Sequence, residues 1–180
     1  FSLWYKTTTT TPQIPFSLGS PTDQTNGAQF AYCINRSSTT NAAIFGKNSA
    51  YDTSVFTVPN TSDGEWHHLL VTYDQSSLKV YLDGNLEATP ALPSTSYITS
   101  AGFTIGGWTM VSVWNSALSE NEMLTIYNGG APNDISSLSP VSWWSLSGDS
   151  YYNGSNWICP DLSTNSNNGT SANMDATNLV

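Results

Sequence analysis

Two neighbouring runs of alternating residues, 66–73 (WHHLLVTY) and 78–82 (LKVYL), constrain the fold of this chain most strongly. Successive side chains of a β-strand point to opposite faces, so alternation predicts two strands that each have one apolar face. The shared apolar positions are Leu69, Val71 and Tyr73 in the first run, and Leu78, Val80 and Leu82 in the second. The short polar segment 74–77 joins the runs, which predicts an antiparallel hairpin with a buried face.

The rest of the sequence also favours strands. A helical pattern is found only at residues 119–127, where Ser119 and Glu122 have the spacing of a capping box and two glycines follow. Asp83 and Gly84 predict a tight turn. Further strand candidates lie at residues 1–6, 29–35, 42–45, 86–88, 103–107, 110–114, 141–146 and 157–158. We therefore predict an all-β antiparallel two-sheet β-sandwich of the jelly-roll type, with one short helix near 119–127.

The composition narrows the classes of partner. The 180 residues carry 4 Lys+Arg and 13 Asp+Glu, a formal net charge of -9. Four cations cannot form the basic surface that nucleic acid requires, so we expect no nucleic-acid partner. The sequence contains no apolar run of about 20 residues, so we expect no membrane insertion. The two cysteines, Cys33 and Cys159, match no metal-binding spacing, and the sequence leaves their pairing open.

One segment resembles a known family. Residues 63–74 (DGEWHHLLVTYD), followed by residues 80–84 (VYLDG), resemble the laminin-G-like and pentraxin-like domains of the concanavalin A-like lectin/glucanase superfamily. The order of the other matching elements fits the same family: residues 1–6 (FSLWYK), 103–107 (FTIGG), 113–119 (VWNSALS) and 127–132 (YNGGAP). The resemblance implies one laminin-G-like β-sandwich over residues 1–147.

The end of the chain is an Asn/Ser-rich segment, residues 148–180, which we expect to pack on the same domain. Residues 161–170 (DLSTNSNNGT) resemble a segment that often opens such domains, although here the segment comes last. The strand around Trp143 and Trp144 therefore either closes this sandwich or begins a following repeat, and we favour closure. The Asn-rich tail is also similar to the tails of virion proteins.

The sequence gives no support for catalysis. Glycoside hydrolysis needs two carboxylates about 5–10 Å apart, and the E-x-D-x-x-E run of the glucanases is missing here. Glu120 and Glu122 are spaced by two residues but fall at the predicted helix start, where a capping role is expected. His67 and His68 are adjacent on a strand, so they should point to opposite faces and cannot bind one metal ion together. We expect a protein that is not an enzyme.

The candidate ligand-binding residues follow from the resemblance and from the aromatic content. If the protein binds a cofactor, the family resemblance implies calcium. Its candidate ligands are Asp23, Asn26 and Asp52. Sugars stack on exposed aromatic rings, and Trp108 follows two glycines in a predicted loop. We expect Trp66, Trp114, Trp143 and Trp144 to lie at least partly in the core.

The leading interpretation is a recognition or assembly module on an external surface. We expect a surface-exposed fibre or decoration domain of a virion that contacts host glycans. The alternative is an extracellular bacterial lectin-like carbohydrate-binding module of a larger protein. Because few lysines protect the sheet edges, we expect pairing with other subunits, as a homo-oligomer or within a larger particle.

Overall fold

The structure, a computed structural model, describes residues 1–18, 30–35, 38–47, 51–74, 76–90, 103–105, 109–145, 148–171 and 174–177. Its helices are α1 (Glu120–Tyr127) and a 3-10 turn (Ser136–Leu138). The strands are β1 (Ser2–Lys6), β2 (Gln13–Leu18), β3 (Phe30–Ile34), β4 (Asn41–Lys47), β5 (Tyr51–Thr57), β6 (Trp66–Tyr73), β7 (Leu78–Leu82), β8 (Asn85–Ala88), β9 (Phe103–Ile105), β10 (Thr109–Val113), β11 (Ser142–Trp144), β12 (Tyr151–Tyr152), β13 (Trp157–Cys159) and β14 (Gly169–Thr170).

The described strands form two large antiparallel sheets. Sheet A has the order β11-β10-β1-β6-β7-β8, and sheet B has the order β5-β4-β3-β2-β9. A third, small sheet contains β12, β13 and β14. The predicted antiparallel β-sandwich with one short helix is confirmed. Among the described residues no helix has the length and apolar character needed to cross a bilayer.

The core lies between sheets A and B. It contains the apolar row that alternation predicted, with Leu69, Val71, Leu78, Val80 and Leu82 buried and Tyr73 packed against them. Sheet B contributes Phe16, Tyr32, Ile34 and Ala42 to the same cluster. The register places Val71 opposite Val80 and Leu69 opposite Leu82, so the two strands present one continuous apolar face to sheet B.

The outer face of sheet A is covered as well. Met123 and Ile126 of α1 pack with Leu70 of β6, Tyr81 of β7 and Ile135. The helix begins with the predicted capping box, in which Ser119 and Glu122 hydrogen bond reciprocally. It ends at Asn128, which adopts the left-handed conformation. Sheet A is therefore buried on both faces where α1 crosses it.

The turn between β7 and β8 supports the helix end. Asp83 and Gly84 both have positive φ, 49° and 81°, as the predicted tight turn requires. A Cβ atom on Gly84 would lie 2.8 Å from Cδ1 of Tyr127, the last residue of α1. The turn thus needs glycine for its backbone conformation and for the close approach of the ring.

The C-terminal segment is fixed to the edge of sheet A through Asp161. Strand β11 pairs with β10, and Leu162 N donates to Trp143 O. The Asp161 carboxylate accepts hydrogen bonds from the backbone N–H groups of Trp143, Ser163 and Asn167. Partial burial opposes its ionisation, but these hydrogen bonds outweigh that effect and lower the pKa of Asp161.

Some elements were not predicted. Strand β2 contains Pro15, a residue type that is uncommon inside strands, and β5, β12 and β14 lack a strong alternating pattern. The sequence predicts that the threonine run at residues 7–11 is an exposed loop or β-edge. Residues 8–11 are an exposed loop, whereas Thr7 is buried and its hydroxyl accepts a hydrogen bond from Thr9 N. Cys33 and Cys159 are thiols in this structure, not a disulfide.

Replacing Gly84 by alanine should destabilise the domain by about 2–4 kcal/mol, through positive φ and the clash with Tyr127. Gly129→Ala is the matched control, because Gly129 has φ +65° and nothing within 4 Å of its added Cβ. The Gly129→Ala control should lower the free energy of unfolding by about 1–2 kcal/mol, because only the positive φ of this position is unfavourable for alanine. Denaturant unfolding measures both, and equal losses would contradict the proposed approach of the ring.

Candidate functional site

An aromatic stack on the outer face of sheet A is the centre of the candidate site. The alternation of β1 and β6 brings Trp4 and His68 to this face, and Tyr127 reaches them from the end of α1. The Trp4 ring lies 4.9 Å from the His68 ring and 6.1 Å from the Tyr127 ring, measured between centroids. The His68 and Tyr127 rings lie 6.0 Å apart. The helix end is thereby joined to the two central strands.

His68 is neutral in this stack. Its side chain is fully buried, and burial lowers its pKa to about 3. Its Nε2 lies 2.7 Å from the Ser2 hydroxyl, whereas Nδ1 has no hydrogen-bond partner among the described residues. Because His68 stays uncharged at ordinary pH and contacts the Ser2 hydroxyl, its role is in packing and hydrogen bonding.

His67 points to the other face of the strand, as predicted, and lies between two carboxylates. Its Nδ1 is 2.7 Å from Asp83 Oδ2, and its Nε2 is 3.1 Å from Asp63 Oδ1. Partial burial opposes its charged form, but hydrogen bonds to Asp83 and then Asp63 outweigh this and raise its pKa. Because Asp83 Oδ1 also accepts from His68 N, the cluster ties the β7–β8 turn to the start of β6.

A cavity of about 10 Å³ opens beside the stack, between sheet A and the segment that follows α1. Its lining includes Ser2, Trp4, Met110, Ser112, Asn133 and Trp143. Pockets for small organic ligands measure about 300–1,000 Å³. This cavity therefore cannot enclose a sugar ring, and a sugar recognised by the described residues would have to stack on the surface.

The exposed ring of Trp66, at the start of β6, provides such a surface. Trp66 exposes 47% of its area, whereas Tyr151, which exposes 53%, lies apart on the small sheet. The expectation that Trp66 lies in the core is wrong, because Trp66 starts β6 and pairs with Lys6 at the last position of β1. Trp114, Trp143 and Trp144 are at least partly buried, as expected.

Carboxylates in the described parts of the chain have structural roles. Glu122 completes the helix cap, as expected, and Asp74 accepts three hydrogen bonds within the β6–β7 turn. Hydrogen bonds lower the pKa of each: from Ser119 to Glu122, and from Ser76 and Ser77 to Asp74. A catalytic general acid needs a raised carboxyl pKa instead.

The predicted ligand-binding residues are not brought together by the described structure. Trp108, Asp23 and Asn26 lie outside the described residues. Asp52 lies in β5, opposite Gly46, and only its backbone placement is described. The described residues contain no group of three or more His, Cys, Asp or Glu side chains that could hold a metal ion. The calcium ligands and the role of Trp108 remain predictions.

The burial of neutral His68 predicts acid-sensitive stability. Below about pH 6.5 the unfolded chain binds a proton at this residue, whereas the folded protein does not until about pH 3. Stability should therefore fall by up to about 1.4 kcal/mol per pH unit as the pH decreases through this window. Between pH 6.5 and 4, the unfolding free energy of the native protein should fall by about 3 kcal/mol more than that of His68→Gln.

His67→Gln is the control for this measurement. The raised pKa of His67 gives stability that is present below about pH 6.5 and lost as the pH rises through the folded-state value. Removing His67 should therefore lower stability by a nearly constant amount below about pH 6.5 and leave the acid-side loss as steep as in the native protein, unlike the His68 variant. Urea unfolding at a series of pH values measures both, and parallel curves for native protein and His68→Gln would contradict a neutral buried imidazole.

Comparisons with known proteins place the fold. The family model Laminin_G_3, described as "Concanavalin A-like lectin/glucanases superfamily", matches residues 1–128. A crystal structure of "a putative carbohydrate binding protein from Bacteroides ovatus" is similar at TM-score 0.62 and 16% identity, over 94% of this chain. The chain spans 50% of that solved chain. No curated protein sequence matches. This chain therefore belongs to the concanavalin A-like lectin/glucanase superfamily.

Proposed function

We propose that this chain is a non-catalytic carbohydrate-recognition module that forms part of a larger protein on an external surface. The observation that carries the proposal is its lectin-like fold, through the family that matches residues 1–128. The similar solved structure, described as carbohydrate binding, supports the same interpretation at the level of the fold.

The roles of the carboxylates support a function without catalysis. Asp63, Asp83 and Asp161 each accept hydrogen bonds that hold the backbone or His67 in place. Where the pKa of a described carboxyl group shifts, as in Asp63, Asp134 and Asp161, it shifts downward. A glycosidase pair needs one carboxyl group that stays protonated near neutral pH. None of these groups meets that requirement.

Surface stacking is the mode of recognition that we propose. Trp66 offers an exposed ring at the first position of β6 in sheet A, and Trp108 is the ring that the sequence suggested. A pyranose ring packs its apolar face on such an indole, while nearby hydroxyl and amide groups bind its hydroxyls. Calcium held by Asp23, Asn26 or Asp52 is the one cofactor that we propose for the same module.

The setting that we propose is a virion surface or an extracellular protein. The scarcity of charge and the Asn-rich tail favour a virion fibre or decoration domain. The bacterial origin of the solved neighbour favours an extracellular carbohydrate-binding module. Among the described strands, β5 lies at one edge of sheet B and β8 at one edge of sheet A, and we propose these edges as the places where neighbouring subunits pair in either setting. The full-length sequence distinguishes the two settings.

Glycan binding should depend on an exposed tryptophan. On a glycan array, we expect the native protein to bind at least one glycan and Trp66→Ala or Trp108→Ala to weaken that binding about 30-fold. Truncation of a central interface tryptophan costs about 2 kcal/mol or more. Tyr151→Ala is the control, because Tyr151 is equally exposed but lies on the small sheet. Repeating the array with a chelator tests the calcium proposal.

Two outcomes would overturn the proposed function. A flat array response for the native protein would favour assembly over sugar recognition. Release of reducing sugar from any polysaccharide in a broad panel would show catalysis.

A further inference from the structure

Two residues that line the small cavity beside the aromatic stack each carry a buried polar atom with no hydrogen-bond partner among the described residues. The two atoms are the indole Nε1 of Trp143 and the amide oxygen of Asn133. One is a donor and the other an acceptor. Buried polar atoms are almost always paired with protein or with ordered water, so each of these two atoms requires a partner that the described residues do not supply.

The orientation of the Asn133 amide follows from its other contact. Its Nδ2 donates to Thr125 O in α1 at 3.2 Å. The opposite orientation would set the amide oxygen against that carbonyl oxygen, which is repulsive because both are acceptors. The Asn133 oxygen is therefore the atom left for the cavity.

Ser2 supplies a third polar group to the cavity. Its hydroxyl lies 2.7 Å from Nε2 of His68, and Nδ1 of His68 has no partner among the described residues. An unpaired buried N–H is rarer than an unpaired acceptor, so we place the His68 proton on Nε2. Nε2 then donates to the Ser2 oxygen, and the Ser2 hydroxyl proton is free to donate into the cavity.

We propose that the cavity is a binding site for one structural water molecule. The water accepts hydrogen bonds from the Trp143 indole N–H and the Ser2 hydroxyl, and it donates one to the Asn133 oxygen. The cavity volume of about 10 Å³ corresponds to about one water molecule. Three hydrogen bonds are the usual number for a buried water. This proposal is independent of any glycan.

The water would join three parts of the fold. Ser2 lies in β1, Trp143 in β11, and Asn133 in the segment that follows α1. The helix is therefore connected to sheet A through a hydrated polar contact next to the apolar cluster of Leu70, Met123 and Ile126. Through the Ser2 hydroxyl, the water would also extend the hydrogen-bond chain that starts at neutral His68.

The direct test is to solve three high-resolution crystal structures, of the native protein, of the Trp143→Phe variant and of the Trp114→Phe variant. We expect a density peak within hydrogen-bond distance of Trp143 Nε1 and Asn133 Oδ1 in the native protein, lost in Trp143→Phe. Trp114→Phe is the matched control, because its indole donates to Leu138 O and packs in the same cluster. That variant should keep the peak, and a native structure without the peak would overturn the proposal.

A double-mutant cycle tests the same site in solution. Asn133→Leu and Trp143→Phe both remove a partner of the one water, so their effects should not add. We expect the double variant to unfold with an equilibrium constant about tenfold smaller than the product of the two single effects predicts. Additive effects would show that the two side chains share no partner.

Discussion

The burial of strand β6 on both faces is the constraint on which the rest of the structure depends. Its odd-numbered row, with Leu69 and Val71, faces sheet B, and its even-numbered row, with His68 and Leu70, faces α1. A strand covered on both sides must be almost continuously apolar, and His68, the ionisable side chain that is fully buried in it, must stay uncharged. That requirement explains the low pKa of His68 and its contact with Ser2.

The covering of the outer face brings remote segments together. Gly84 lets the β7–β8 turn approach Tyr127, and Tyr127 in turn stacks on His68 and Trp4. On the opposite edge of the same sheet, Asp161 ties the C-terminal segment to β11 by accepting a hydrogen bond from Trp143 N, and it accepts three more from Ser163 and Asn167 within the segment. The carboxylates of Asp74, Glu122 and Asp161 hold a turn, the helix cap and the C-terminal segment.

Local chemistry predicted the central elements well. The bounds of β6 and β7 follow from their alternation and from the turn at Asp74, and the cap of α1 follows from Ser119 and Glu122. The same local rules failed for features that depend on contacts between residues distant in the sequence. Strand β2 accommodates Pro15, and β5 obtains its conformation by pairing with β4. The exposure of Trp66 depends on where β1 ends, and the cavity lined by Trp143 and Asn133 depends on how distant segments pack. No short pattern encodes either.

Hydrogen exchange of the β6 backbone amides tests the central constraint most directly. Strand β6 lies between β1 and β7 in sheet A, so the amides of Leu69, Leu70 and Val71 should exchange only when the whole domain unfolds. The amides of Ile158 and Thr170 in the small sheet should exchange at least about 100-fold faster, because that sheet can open locally. If the β6 amides exchanged as fast as those of the small sheet, β6 would not be the doubly buried centre of the fold.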